Sequence, residues 1–317
     1  MMNTLLQVKG LTQTFGDVKA VAGIDFSITE GHCVALLGPN GAGKTTTIRM
    51  ITGLLKPTAG QLEFQGSAQG INHRALIGYL PQAPSFYPWM TGIEYVVYAG
   101  RLCGLTAAAA KIRAKELLER VGISSAAKRR IGSYSGGMKQ RLGLAQALVH
   151  QPRLLVMDEP VSALDPLGRR EVLELLRELK QETTVLFSTH VLHDAEELCD
   201  DVIIIRNGQV ALQGAIESIR SEHRKPIIEL QLEREAQSER WLSSYMARIL
   251  PSAGAVNKHS LFQAVQLQNG VARFTVNDVD AARRSLLEEL TKDQVKVSRL
   301  EVGHTSLEDL FMKVVTA

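Results

Sequence analysis

Residues 38–45 read Gly-Pro-Asn-Gly-Ala-Gly-Lys-Thr, the pattern G-x-x-x-x-G-K-[ST], set between an apolar run and a stretch of helical periodicity. Glycines at this spacing let successive backbone N–H groups curl around a phosphate chain, and the N-terminus of the following helix adds its dipole. Lys44 then neutralises the β and γ phosphates, and the Thr45 hydroxyl ligates Mg²⁺. Gly38, Pro39, Asn40, Gly41, Ala42, Gly43, Lys44, Thr45 and Thr46 are therefore the expected phosphate-binding residues of a P-loop. A second constellation is Leu154-Leu-Val-Met-Asp158-Glu159-Pro160, an apolar strand that ends in two adjacent acids. By itself such an acidic strand end is commonly a solvated turn. Downstream of a P-loop it reads differently, with Asp158 holding Mg²⁺ through water and Glu159 facing the γ-phosphate as general base or water-positioning residue.

These residues need a scaffold, and the hydrophobic pattern supplies one. Leu6–Val8, Ile24–Ile28 and Val34–Leu37 predict short strands separated by turn-forming Gly and Asp, and Lys44–Leu55 predicts a helix. Residues 84–150 are rich in helical periodicity, notably Ala107–Val121 and Gly136–His150, which predicts a helical insertion between strands. The runs Leu154–Met157, Val185–Ser188 and Val202–Ile205 are short and wholly apolar, as strands of a buried parallel sheet are. Asn207-Gly208 marks a tight hairpin, because both residues tolerate positive φ.

From Ile219 to Lys225 the chain turns polar, and beyond it the order strand, helix, two strands, helix, strand predicts a small α+β sandwich. Its expected elements are Ile227–Leu232, Ser238–Leu250, Leu261–Leu267, Val271–Val276, Ala281–Leu290 and Val295–Val302, then a short last helix opened by a Ser306/Asp309 capping pair. The expected fold class is thus α/β, a P-loop NTPase cassette domain with a mixed sheet and a helical insertion, followed by a small α+β domain. Expected bounds are 1–221 for the first, with a helical subdomain at about 84–150, and 222–317 for the second.

Composition narrows the classes of function. Lys and Arg number 36 against 33 Asp and Glu, a formal charge of +3, so no strong field steers the chain to nucleic acid. From Glu222 onward 13 basic residues balance 13 acidic ones, which excludes a polybasic membrane or RNA tail. Cys33, Cys103 and Cys199 show no C-x-x-C spacing and suggest neither a disulfide framework nor a zinc site. No signal-peptide pattern opens the chain and no run nears the ~18 apolar residues that span a bilayer, so a cytosolic location is expected.

With the two phosphate motifs in place, the sequence resembles the ATP-binding cassette (ABC) family, through seven elements in the family's order across residues 1 to about 221. Tyr79-Leu-Pro-Gln82 resembles the Q-loop, Tyr134-Ser135-Gly136-Gly137-Met138 the signature motif, Ser162-Ala-Leu-Asp165 the D-loop and Thr189-His190 the switch histidine; Phe15 occupies the adenine-stacking position. The resemblance implies ATP and Mg²⁺ as ligands. It gives Glu159, His190 and Gln82 catalytic roles, and Thr45, Gln82 and Asp158 metal roles. Ser135, Gly136 and Gly137 of one copy close over the ATP held by the P-loop of another in a head-to-tail dimer, and Asp165 braces the opposite monomer. Two positions depart from the family's commonest signature: Tyr134 stands where Leu is usual, and Met138 where Gln is usual.

Ser135-Gly-Gly137 also carries its own physical case, since a hydroxyl and two bare amides at a helix start form an anion site or, more simply, an N-cap. Thr91 with Glu94 reads as a capped helix start carrying Phe86, Tyr87 and Trp89, which in the family receives the permease and otherwise packs the insertion. The signature, the single cassette and the tail Thr305-Ser-Leu-Glu-Asp-Leu-Phe311 resemble subunits of ABC-2 type drug and lipid exporters. The implied partners are a polytopic permease of about six spans, at the cytoplasmic face of the membrane, and a second self or paralogous cassette. The rival readings are a soluble cassette acting on ribosomes or DNA, which the single cassette and the missing basic patch disfavour, and an importer ATPase.

Overall fold

The computed structural model describes residues 3–65, 73–162, 164–233, 235–249, 261–268 and 270–316. Ala163 of the D-loop and Leu250, the expected end of a helix, lie outside the described residues. The chain divides into two compact units, Met1–Glu217 with Val314–Ala317, and Ser218–Lys313.

The first unit holds two sheets. β1 (Thr4–Phe15) and β2 (Val18–Thr29) form an antiparallel hairpin, and β4 (Ala59–Phe64) pairs with the other edge of β1. The second sheet is built from β3 (Cys33–Leu37), β5 (Ile77–Leu80), β6 (Leu154–Asp158), β7 (Thr184–Thr189), β8 (Asp201–Arg206) and β9 (Gln209–Ala215), in the order β5-β6-β7-β3-β8-β9. Its first five strands are parallel and β9 is antiparallel, joined to β8 through Asn207 (φ 50°) and Gly208 (φ 73°) as the hairpin signal predicts. β3, β6 and β7 are buried along their whole length, because both faces of the parallel sheet are covered. Alternate residues Val34, Leu36, Leu154, Val156, Leu186, Ile203 and Ile205 share one core with Leu6, Val8 and the α1 residues Ile48 and Ile51.

α1 (Lys44–Ile51) follows the P-loop, and α2 (Gly92–Leu102), α3 (Ala107–Arg120) and α4 (Gly136–Leu148) lie between β5 and β6. α5 (Pro166–Leu179) and α6 (Leu192–Leu198) flank β7 in sequence, and α7 (Ile216–His223) crosses the division between the units. Among the described residues no helix is long and apolar enough to cross a membrane.

Two expectations are corrected, and one helix is added. β1 and β2 are 12-residue strands rather than short ones, since Gly10 (φ 58°) and Gly23 (φ 73°) sit at shifts of register within a continuous ladder. Asp25 accepts a hydrogen bond from Gly10 N at 2.8 Å and stabilises one of these bulges. α1 stops at Ile51, short of Leu55, because Thr52 turns its hydroxyl back onto Ile48 O at 2.9 Å and Gly53 takes a positive φ. The added helix carries the polar stretch after Ile219 as far as His223, and its Ile216 and Ile219 are both buried.

The second unit follows the order expected. β10 (Pro226–Leu232), β11 (Phe262–Gln268), β12 (Val271–Val276) and β13 (Val297–His304) form an antiparallel sheet in the order β11-β12-β10-β13. α8 (Ala236–Ile249) and α9 (Val279–Lys292) pack Trp241, Tyr245, Leu286 and Leu290 against Ile228, Leu230 and Phe274 of that sheet. α10 (Leu307–Thr316) opens with reciprocal bonds, Asp309 N to Ser306 Oγ at 3.1 Å and Ser306 N to Asp309 Oδ2 at 2.8 Å.

Candidate functional site

β3 delivers the chain to Gly38 at the C-terminal edge of the parallel sheet, and the loop ends at Gly43 with φ 109°. A side chain at Gly43 would place its Cβ 2.7 Å from Ala20 O, so both the angle and the space require glycine. Lys44 opens α1 and turns its ammonium back into the loop, donating to Gly38 O at 2.7 Å and Pro39 O at 3.2 Å. The side chain is only 6% exposed. Burial lowers the Lys44 pKa, against the opposing pull of Glu159 and Asp158. A buried ammonium served by neutral carbonyls gains a stronger partner when a phosphate arrives.

β6 ends on the acid pair beside this lysine. Asp158 is buried, and its Oδ1 accepts from Thr45 Oγ1 at 3.2 Å and from Ser188 Oγ at 2.6 Å. The same Ser188 hydroxyl accepts from Glu159 N at 2.9 Å, which ties the end of β7 to the turn after β6. Glu159 holds φ at 47°, a left-handed conformation uncommon for a side chain of this size. That turn aims its carboxylate at three polar groups. Gln82 Nε2 donates to Oε2 at 3.2 Å, His190 Nδ1 lies 3.3 Å from Oε1, and Lys44 Nζ is 3.9 Å from Oε1. Amide, imidazole and ammonium thus converge on one carboxylate that is 12% exposed, at the mouth of a phosphate-binding loop. The arrangement can bind a phosphate chain, and it can accept a proton from a water held beside it.

Thr45, Asp158 and Gln82 offer hydroxyl, carboxylate and amide oxygens, hard donors of the kind Mg²⁺ takes. Among the described residues no group of three or more His, Cys, Asp or Glu forms a cation site. A donor set this sparse fits an ion that brings its remaining ligands with it as substrate phosphates and water.

Three other expected groups stand apart from this convergence. Ser135 caps α4, its hydroxyl accepting from Met138 N at 3.2 Å, and Ser135 and Gly136 are exposed. Asp165 caps α5, accepting from Gly168 N at 3.2 Å, and is exposed. Phe15, at the tip of the β1–β2 hairpin, is 51% exposed. Thr46 lies half-buried on α1, while Asn40 and Gly41 are exposed at the loop's crest.

Tyr134, the unusual residue of the signature, is buried, and its hydroxyl donates to Ala126 O at 2.6 Å. Burial raises its pKa, so it stays a neutral donor that pins the start of α4 to the turn after α3. Thr91 and Glu94 form the capping box that opens α2. Around it Trp89 is 66% exposed, Tyr87 44% and Tyr98 42%, with Tyr87 meeting Trp89 at a tilt and Tyr98 edge-on. Sequence reasoning missed Ser188 as a site residue; the signal was a hydroxyl at the end of a buried strand, two residues before His190. It also missed Gln140, buried on α4, whose amide donates to Pro160 O at 2.9 Å and fixes the turn behind Glu159.

Comparison with known proteins follows the same division of the chain. The family model for ABC transporters matches residues 21–162, and that for the C-terminal domain of DrrA1-3-like ATP-binding proteins matches residues 214–315. The chain is 45% identical to the ABC transporter ATP-binding protein YxlF of Bacillus subtilis, over 99% of this chain and 100% of that one. It is 33% identical to the daunorubicin/doxorubicin resistance ATP-binding protein DrrA of Streptomyces peucetius, covering 97% and 91%. With the Nod factor export ATP-binding protein I of Ralstonia nicotianae it shares 42% identity, over 66% and 67%. Among solved structures it superposes on a dimeric ATP-binding cassette in a post-hydrolysis state bound to ADP and Pi, with TM-score 0.61 and 25% identity, over 67% of this chain and 99% of that one.

Proposed function

This chain belongs to the ATP-binding proteins of ABC transporters, and on that premise we propose that it is the ATP-hydrolysing subunit of an ABC-2 type exporter of a drug, lipid or related cargo. The observation that carries the reading is the convergence of Lys44, Gln82 and His190 on Glu159 beside the P-loop, in a chain whose second unit matches a DrrA-like domain. Relatives named for drug resistance and for Nod factor export support export over import.

Residues 1–221 act as the nucleotide-binding domain, with 84–150 as its helical subdomain, and 222–317 as an accessory domain. Lys44 and the amides of Gly38–Thr46 bind the β and γ phosphates of ATP, and the Phe15 ring stacks on adenine. Thr45, Asp158 and Gln82 hold Mg²⁺, which when bound offsets the negative charge of the phosphates. Glu159 orients the attacking water and takes its proton. His190 hydrogen-bonds the γ-phosphate and, through its contact with Glu159, links the presence of that group to the position of the base.

Ser135, Gly136 and Gly137 serve a second copy or a paralogue, closing over its nucleotide in a head-to-tail dimer braced at Asp165. The exposure of Ser135, Gly136 and Asp165, and the local character of the bonds Ser135 and Asp165 make here, support this division of labour. A separate permease of about six spans docks at the aromatic surface of Tyr87, Trp89 and Tyr98 and holds the subunit at the cytoplasmic face of the membrane. Nucleic acid has no part in this cycle.

Purification of the tagged chain from mildly solubilised membranes of its own cell, with mass spectrometry of what accompanies it, tests the proposal. A stoichiometric polytopic protein is the expected companion; ribosomal proteins or DNA in its place would overturn the exporter reading and keep the ATPase.

A further inference from the structure

Arg169 and Asp194 look unremarkable in sequence, one basic and one acidic residue on two amphipathic helices. In the structure Asp194 is fully buried, and Arg169 Nη2 donates to its Oδ1 at 2.5 Å. The second carboxylate oxygen, Oδ2, is buried without a hydrogen-bond partner, and Arg169 is the cation paired with this acid among the described residues. Removing the partner of a buried carboxylate leaves an uncompensated charge, so the loss of one member is felt far more than at an exposed pair.

The positions of the two residues give the pair its meaning. Arg169 stands four residues after Asp165, and its N–H closes the first hydrogen bond of α5 onto Asp165 O at 2.9 Å. Asp194 stands four residues after His190, in the first turn of α6. Arg169 is 33% exposed, and it lines one cavity with Glu159, Ser162, Leu164, Thr189 and His190. The pair therefore joins the helix that begins at Asp165 to the helix that follows His190, on the wall of the cleft holding the proposed base.

We propose that Arg169 and Asp194 are positioning residues for hydrolysis, coupling the placement of Asp165 to that of His190. A shift of Asp165 on meeting a second copy is then passed to His190 and Glu159 through one ion pair. This inference rests on the ATPase reading above. The fold carries its own control: Arg177 and Glu197 join the same two helices at 2.7 Å, but both are more than 40% exposed and solvent screens them.

The test measures ATP hydrolysis by the purified full chain against ATP concentration for Arg169→Leu, Asp194→Asn, their double variant, Arg169→Lys and Arg177→Leu. Arg169→Leu and Asp194→Asn should each lower kcat by about tenfold with KM for ATP changed by less than about twofold, and should weaken any cooperativity in ATP. The double variant should be no slower than the worse single one, since both remove the same link. Arg169→Lys should recover part of the loss, and Arg177→Leu should match the unsubstituted protein. If Asp194→Asn or Arg169→Leu fails to fold, the double variant decides, because it removes the buried charge and its partner together. Wild-type kcat in a folded double variant, losses that multiply, or an equal loss in Arg177→Leu would overturn the inference. Absence of hydrolysis by the unsubstituted chain would overturn the ATPase reading with it, whereas hydrolysis unmoved by these variants would overturn this inference alone.

Discussion

Both units cover a sheet with helices, yet they treat their polar groups in opposite ways. In the second unit Arg273 is held between Glu229 at 2.5 Å and Asp309 at 2.7 Å, Trp241 donates to Asp293 at 2.7 Å, and Asp309 is further engaged by Ser306. Its charges are answered by one another. In the first unit Lys44 is buried with neutral carbonyls as its hydrogen-bond partners and the Glu159 carboxylate only at 3.9 Å, Glu159 sits in a left-handed turn, and Asp194 keeps one oxygen without a hydrogen-bond partner among the described residues. Chemistry belongs where buried polar groups are only partly answered, because a ligand can then supply what the protein withholds. Among the described residues of the second unit no buried side-chain polar atom is left without a partner.

Four substitutions or titrations can break or sharpen that contrast. The largest effect belongs to Lys44→Ala, which should lower ATP hydrolysis by about 10³-fold and erase the rise in melting temperature that ATP gives the unsubstituted chain. An unchanged rate would remove the P-loop from the chemistry. Next, Glu159→Gln should cut phosphate release by about 10²- to 10³-fold while ATP still binds, and size-exclusion chromatography with ATP should show a persistent dimer. Rapid turnover by this variant would move the base elsewhere.

In the second unit, Phe274→Ala removes a fully buried ring packed edge-on against Tyr245 and Phe262, at a cost of about 3–5 kcal/mol. Denaturant unfolding should show that loss while the affinity for ATP stays put; a matching loss of ATP binding would contradict the division of labour. The smallest effect is electrostatic. Burial pushes the Asp309 pKa up, but bonds from Ser306 and the Arg273 charge outweigh it, and the net value lies below the ordinary 3.8. A carboxyl whose folded pKa is depressed contributes stability above its unfolded pKa and loses it as pH falls through the folded one. Acid titration below pH 3.8 should therefore weaken the second unit by about 1 kcal/mol or less, and Asp309→Asn should flatten that dependence.

Much of the site was legible because its chemistry is written in consecutive residues. Gly38–Thr45 and Asp158-Glu159 each lie at the end of a buried strand, where apolar runs and motif spacing agree. What escaped depends on contacts between distant segments. Ser188 gains its role from Asp158 and Glu159, 30 and 29 positions away, and Arg169 from Asp194 at 25. For Ser188 the local signal is only its place at the end of a buried strand, and for Arg169 no local pattern separates it from surface arginines. The fold was misread where local and tertiary signals conflict, as at Gly10 and Gly23, which look like breakers and serve as bulges. Ile216 and Ile219, spaced for one helical face, were hidden by the polar run that follows.

The positive φ of Glu159 has an evolutionary consequence. Glycine or asparagine would adopt that angle with less strain, by about 1 kcal/mol for glycine, so folding and activity select different residues at this position. A library of variants at 159 sorted only for soluble expression should enrich Gly and Asn. The same library sorted for ATP turnover should return the acid, and the gap between the two distributions would measure how far selection has traded durability for work at a single backbone angle.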